Sequence, residues 1–216
     1  DVWLEYAHTY LPNLPDSLKL SIAEPKDVLK AYYELIGVGT RDEYGWICEY
    51  STVGMATQRR QATIQLIRYQ RRDLLEQIVD YPNTQVQLYV TDALIYDDLQ
   101  KKKYIEENLK IELTQMIKEL DSLKSKKISD WRIESLNYKI SDNKEYTEQL
   151  ESELLSQNDW KRIYALRDSN QEVKTCRSGT GSYKIYANTT AELLSENAIS
   201  EISKRYLELE NLGYFR

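Results

Sequence analysis

Apolar residues between Leu99 and Leu155 recur in two ladders that mirror one another about a charged break at Lys124–Ser129. The first runs through Ile105, Leu109, Leu113, Met116, Leu120 and Leu123 in steps of four and three. The second runs through Ile133, Leu136, Ile140, Leu150 and Leu154, with Asn143 and Thr147 at the intervening core steps. Such heptad spacing collects the apolar side chains on one face of each helix. Two helices joined by a short polar turn close these seams only by folding back on each other, which predicts an antiparallel coiled-coil hairpin, about 40 Å long at 1.5 Å per residue. Asn143 and Thr147 then face the region of Lys110 and Glu106. There they either fix the register, as a buried polar step does, or mark a base of the arm that is wetter than its tip.

The rest of the chain reads as shorter elements. Trp3, Tyr6 and Tyr10, followed by Pro12, Pro15 and Pro25, suggest an N-terminal segment wrapped on a core. A helix from Asp27 carries Val28, Leu29, Tyr32, Tyr33, Leu35 and Ile36 and stops at Gly37 and Gly39. A short helix is expected over Tyr44–Tyr50, another over Thr57–Tyr69, and a third from Arg72 or Asp73 to the corner Tyr81–Pro82–Asn83. A return helix follows with Val86, Val90, Ala93 and Leu94. After the arm come a helix at Asp159–Asp168 and a β-hairpin pairing Val173–Cys176 with Tyr183–Tyr186. An amphipathic helix over Ala198–Leu212 closes the chain at Gly213.

The run Leu74, Leu75, Ile78, Val79, then Pro82–Asn83, then Val86, Gln87, Val90, Ala93 and Leu94 resembles a HEAT-type helical repeat: a helix, a proline corner and a return helix. An earlier copy lies 28 residues upstream, with Trp46, Ile47 and Tyr50 and then Arg59, Ala62 and Leu66. The resemblance covers about residues 27–97. Gln87 stands where such repeats usually carry Arg, and Gln58 and Gln65 stand where apolar residues are usual. It implies a stack of helix pairs, each burying the other's apolar stripe, that binds macromolecules more often than it performs chemistry.

Composition narrows the picture. Seven Gly and four Pro among 216 residues favour helices, so the class is mainly α. The longest apolar runs are too short for a transmembrane helix. A net charge of −6 argues against nucleic acid or an anionic membrane as partner unless a local basic patch exists. Eighteen Tyr and four Trp against one Phe supply half-buried core residues and adaptable contact surfaces. Cys48 and Cys176 are the only cysteines. They fit a disulfide and an extracytoplasmic home, or two buried free thiols. A start at Asp1 rather than Met fits removal of a targeting segment or a trimmed chain.

Chemistry finds few footholds. The loop Ser178–Gly179–Thr180–Gly181–Ser182, flanked by Arg177 and Lys184, could cradle an anion, but it joins strands, lacks a Gly-Lys-Ser/Thr ending and reads better as a tight turn. Arg59, Arg60, Arg68, Arg71 and Arg72 form the densest basic group. Arg68, Arg71, Arg72 and Arg177 are candidate anion contacts, with salt bridges to Asp73, Glu76 and Asp80 as the favoured reading. His8 is the only histidine, so no multi-His metal site can form, and Ser51 and Ser182 lack a nucleophile's context. No metal, cofactor or catalytic residue is assigned.

The expected architecture is a helical-repeat-like body over residues 1–98, a coiled-coil hairpin over 99–156, and a helix, β-hairpin and final helix over 157–216 that pack on the body. The expected function is a non-enzymatic interaction or scaffold protein that contacts a protein partner, or a second copy, through the hairpin. Trp131 and Ile128 near the hairpin turn, with Trp46 and Tyr44 on the body, are the candidate contacts. The alternative is a small-ligand binder or enzyme whose site lies between the 178–182 loop and the repeat face, near Trp46 and Cys48.

Overall fold

The computed structural model describes residues 14–21, 23–37, 43–49, 54–125, 130–176 and 184–215. The protein is mainly α, with two small antiparallel strand pairs. It divides into two compact units, one formed by residues 1–96 and 157–216 and the other by residues 97–156.

In the first unit, helix α1 (Lys26–Leu35) starts at Pro25, whose φ of −53° is already helical, and gives way to Gly37 at a φ of 99°. Strands β1 (Ile47–Glu49) and β2 (Gly54–Ala56) pair with Cys48 opposite Met55. A strand therefore stands where the spacing of Trp46, Ile47 and Tyr50 predicts a helix, because pairing with β2 outweighs a weak local periodicity. Thr57 caps helix α2 (Gln58–Arg68), its hydroxyl accepting from the Arg60 N–H. That helix ends with Gln70 at a φ of 55° and a 2.9 Å bond from the Arg71 N–H to the Leu66 carbonyl, an αL cap that glycine usually supplies.

Helix α3 (Arg72–Ile78) leads through the proline corner to helix α4 (Thr84–Tyr104), whose first turn is capped by Asn83. Every residue from Leu88 to Ile95 is buried. A helix covered on all sides is a core helix, and α4 supplies the centre of this unit. Beyond the second unit come α7 (Gln157–Asp168), β3 (Glu172–Cys176), β4 (Ile185–Thr189), the short α8 (Thr190–Leu193) and α9 (Glu196–Asn211). The second β-hairpin is paired from Glu172–Thr189 to Cys176–Ile185, so its register is shifted by two residues from the one the pattern suggests and β4 runs on to Thr189. Tyr44 forms a parallel bridge to Thr175, donating its N–H to the Lys174 carbonyl and accepting from the Cys176 N–H. A disulfide joins Cys48 to Cys176 across 128 residues of sequence, with a Cα separation of 5.4 Å.

The second unit is a helical hairpin. A π-helical turn at Ile105–Leu109 follows α4 and leads into α5 (Lys110–Ser125), which pairs with α6 (Asp130–Ser152). The π turn has a cause in the spacing. Ile105, Leu109 and Leu113 are two successive four-residue steps, and in a straight α-helix these overshoot two turns by about 80°. Widening one turn keeps Ile105 and Leu109 together against Leu150. Further along, Leu120, Leu123 and Leu136 form a second cluster with Met116, Ile133 and Ile140 packed on it. This order of contacts makes the pair antiparallel. Between the clusters the buried Asn143 donates from Nδ2 to the Leu109 carbonyl at 3.4 Å, beside the π turn. At the stem, the buried Asp98 carboxylate accepts from the Leu155 N–H at 2.7 Å and pairs with Lys102, while Lys101 bridges to Glu153.

Candidate functional site

Two places in the structure have the makings of a site, one in each unit. The first is built around Arg60, which α2 carries into the core although its neighbours Gln58 and Gln61 remain accessible. Its guanidinium is fully buried and its Nη2 donates to Asp92 of α4 at 2.6 Å, while Nη1 donates to the Tyr206 hydroxyl of α9 at 3.1 Å. Four rings surround the cation, with centres at 3.6 Å (Trp46), 4.7 Å (Tyr89), 5.5 Å (Tyr206) and 5.6 Å (Tyr44). Tyr44 gives a second hydrogen bond to Asp92, at 2.7 Å. Tyr89 donates to the Glu43 carbonyl, accepts from the Gly45 N–H and shares a hydrogen bond with Thr57. Gly45 is required there, because a Cβ would lie 2.7 Å from both disulfide sulfurs.

Burial pushes the Tyr44 hydroxyl well above its ordinary range, and the neighbouring Asp92 charge adds to the effect. Burial alone would lower the Arg60 pKa, but Tyr206 and Asp92 outweigh it and hold the guanidinium charged. The group is therefore an ion pair inside an aromatic box, in which the Arg60 Nε has no hydrogen-bond partner among the described residues and burial holds the Asp92 carboxyl above its ordinary range.

Above this box lies a cleft of about 550 Å³. The α9 face of Asn197, Glu201, Arg205 and Glu208 lines it on one side, and Thr175 and Asn188 of the β-hairpin line it on the other. The alternative expected from the sequence put a pocket between the 178–182 loop and the face of Trp46 and Cys48; Trp46 lines this cleft, while the loop lies outside the described residues. The cleft's polar groups are engaged with one another. Glu201 pairs with Lys204 and Arg205 with Glu208. Glu192 completes a capping box with Thr189, and Asp92 is held by Arg60 and Tyr44. No nucleophile–base pair faces the cleft among the described residues, and none of these residues forms a group able to hold a metal.

The second place is the outer face of α6. Trp131 and Tyr138 are 67% and 70% exposed, the two most exposed large apolar side chains among the described residues. They lie seven residues apart, hence on one stripe, about 10 Å apart along the axis. At about 100° per residue, Trp131, Glu134, Tyr138, Asp142 and Glu145 fall within about 50° of the direction opposite the seam made by Ile133, Leu136, Ile140, Asn143, Thr147 and Leu150. Aromatic residues on the solvated face of a hairpin contribute nothing to its core and leave apolar surface in water.

The other candidates fall as follows. Tyr44 is 4% exposed with its hydroxyl spent on Asp92, so it serves the core and offers no contact surface. Trp46 is half-buried, packed on Arg60 and edge-on to Tyr206. Arg71 binds Asp73 and Glu24, Arg72 binds Glu76, and Arg68 hydrogen-bonds Gln65. Asp80 instead pairs with Arg162. Arg60, Arg71 and Arg72 are thus each taken by carboxylates and Arg68 by Gln65, and the structure does not gather these four into an anion site. Ile128, Arg177, His8 and the 178–182 loop lie outside the described residues. Sequence reasoning missed Tyr138, although its seven-residue spacing from Trp131, off both ladders, was the available signal. It also missed the Arg60–Asp92 pair, which no local pattern announces. No helix among the described residues is long and apolar enough to cross a membrane. Compared with known proteins, the chain matches no family model, no curated protein and no solved structure.

Proposed function

We propose that this is a non-enzymatic binding protein whose helical hairpin is the recognition element. The observation that carries the reading is the pair Trp131 and Tyr138, held outward on a helix whose other face is already satisfied by its own seam. Exposed aromatics on a rigid element are the usual anchors of protein contacts, because they bring large area at small entropic cost. The engaged polar groups of the cleft count against chemistry there, and the binding role that the HEAT-like resemblance implies now rests on the α3–α4 pair alone, since β1 and β2 stand in the upstream copy. The Cys48–Cys176 disulfide supports an oxidising compartment as the protein's home.

The test is affinity capture from the native source with the full chain and with Trp131→Ala/Tyr138→Ala, with helicity checked by circular dichroism. A protein retained by the parent and lost by the variant is the expected result. An identical retained set with both chains would refute the reading.

A further inference from the structure

Resting on that reading, we infer that the α6 outer face takes a basic protein segment: one that presents apolar anchors to Trp131 and Tyr138 and lysine or arginine to the carboxylates beside them. The charge pattern selects this occupant. Glu134, Asp142 and Glu145 share the outward sector with the two aromatics, and all three are exposed. None makes an ion pair among the described residues, in contrast to the cleft carboxylates of the first unit. The cations of the same helix, Arg132, Lys139 and Lys144, point about 110–130° from the centre of that sector at the α-helical angle per residue, outside its edges. The charged residues of the outward sector are therefore all carboxylates, set beside the aromatic stripe.

Those carboxylates bear on each occupant. A second copy laid against the stripe would bring Glu134, Asp142 and Glu145 toward their own equivalents, and like charges across an interface cost affinity. A phosphate backbone or an anionic bilayer meets the same repulsion. A basic segment gains on both counts, with apolar burial at the aromatics and complementary charge at the rim, where electrostatics set association rate and specificity.

The experiment uses the full chain and three labelled helical peptides that share one Leu- and Trp-bearing face and differ only in flanking residues, Lys, Gln or Glu. Binding is read by fluorescence anisotropy. The Lys peptide should bind about tenfold tighter than the Gln peptide at low salt, the sum expected of three exposed charge pairs, and the Glu peptide should bind more weakly still. The gap should narrow as salt shortens the screening length. Glu134→Gln/Asp142→Gln/Glu145→Gln should abolish the Lys preference and leave the Gln peptide's affinity unchanged.

Equal binding of the Lys and Glu peptides that still depends on Trp131 and Tyr138 would overturn the charge inference and leave the hairpin reading standing. Binding indifferent to Trp131→Ala/Tyr138→Ala would overturn both. Absence of binding by every peptide would overturn the inference, as would a dimer in sedimentation that dissociates on Trp131→Ala.

Discussion

Replacing Asp92 with Asn removes one charge from a pair that has no access to water. Arg60 is fully buried and Asp92 is 1% exposed, so neither can recover hydration when its partner is lost. The same Asp92 oxygen accepts from Arg60 at 2.6 Å and from Tyr44 at 2.7 Å, so the Asn amide oxygen can keep an acceptor there while the charge that balances the guanidinium is lost. Removing one member of a buried ion pair costs about 3–5 kcal/mol, most of it the penalty of a stranded charge. At about 2–4 °C per kcal/mol for a domain of this size, the melting temperature should fall by roughly 6–20 °C. Urea unfolding followed by tryptophan fluorescence is a suitable assay, since the Trp46 ring lies 3.6 Å from the guanidinium carbon. Arg60→Met should cost a similar amount. The double variant should fall short of the sum of the two by about 1–3 kcal/mol, because the second change strands no further charge. Single variants that each cost less than about 1 kcal/mol, or a double that is additive within about 0.5 kcal/mol, would refute the claim that the two charges depend on each other.

Three further outcomes are expected. Cys48→Ala/Cys176→Ala frees a loop of 128 residues in the unfolded chain, a loss of about 5 kcal/mol in the chain-entropy account; an unchanged urea midpoint would show that the bond constrains neither state. Gln70→Gly should raise stability by up to about 1 kcal/mol, because Gln70 holds a φ of 55° that costs a side-chain-bearing residue and not glycine; a lowered melting temperature would argue that the side chain has a role of its own. Glu34 has its carboxyl held above the ordinary value by burial, with Lys30 only partly opposing. The favourable state is the protonated one, fully present below the unfolded pKa and lost as pH rises through the higher folded value. Glu34→Gln should therefore raise the melting temperature at pH 7 and leave it unchanged near pH 3.5. A difference between variant and parent that does not vary with pH would contradict this.

The arm was legible because its information is local: the three-and-four spacing of Leu109 through Leu123 and of Ile133 through Leu150 names both helices and their pairing. The consecutive four-residue steps at Ile105, Leu109 and Leu113 carry a signal of the π turn that the heptad reading passes over. The body was less legible where tertiary contacts decide. Trp46, Ile47 and Tyr50 repeat at a helical interval, yet β2 and the disulfide draw Ile47–Glu49 into a strand. Arg60 reads as one more surface cation beside Arg59, and its carboxylate is 32 residues away, in the stretch of α4 from Leu88 to Ile95 that is buried on every side. Tyr44 fails as a surface candidate for the same reason, since a tyrosine's destination depends on whether a buried acceptor awaits its hydroxyl. Trp131 stood off its ladder in the sequence and stands in water in the structure.

The stem of the hairpin changes what an insertion costs. The first unit is assembled from two stretches of chain separated by residues 97–156, and a flexible loop of that length would charge its closure about 2 kcal/mol more than a four-residue turn. Here Asp98 grips the Leu155 N–H and Lys101 reaches Glu153, so the two ends of the insertion are held together by the insertion itself. Closure is thereby independent of how far the helices extend. Whole turns can be gained or lost at the tip without altering the entropy of the fold that carries them, which leaves the length and outer face of the arm free to vary while the Asp98 clamp must stay.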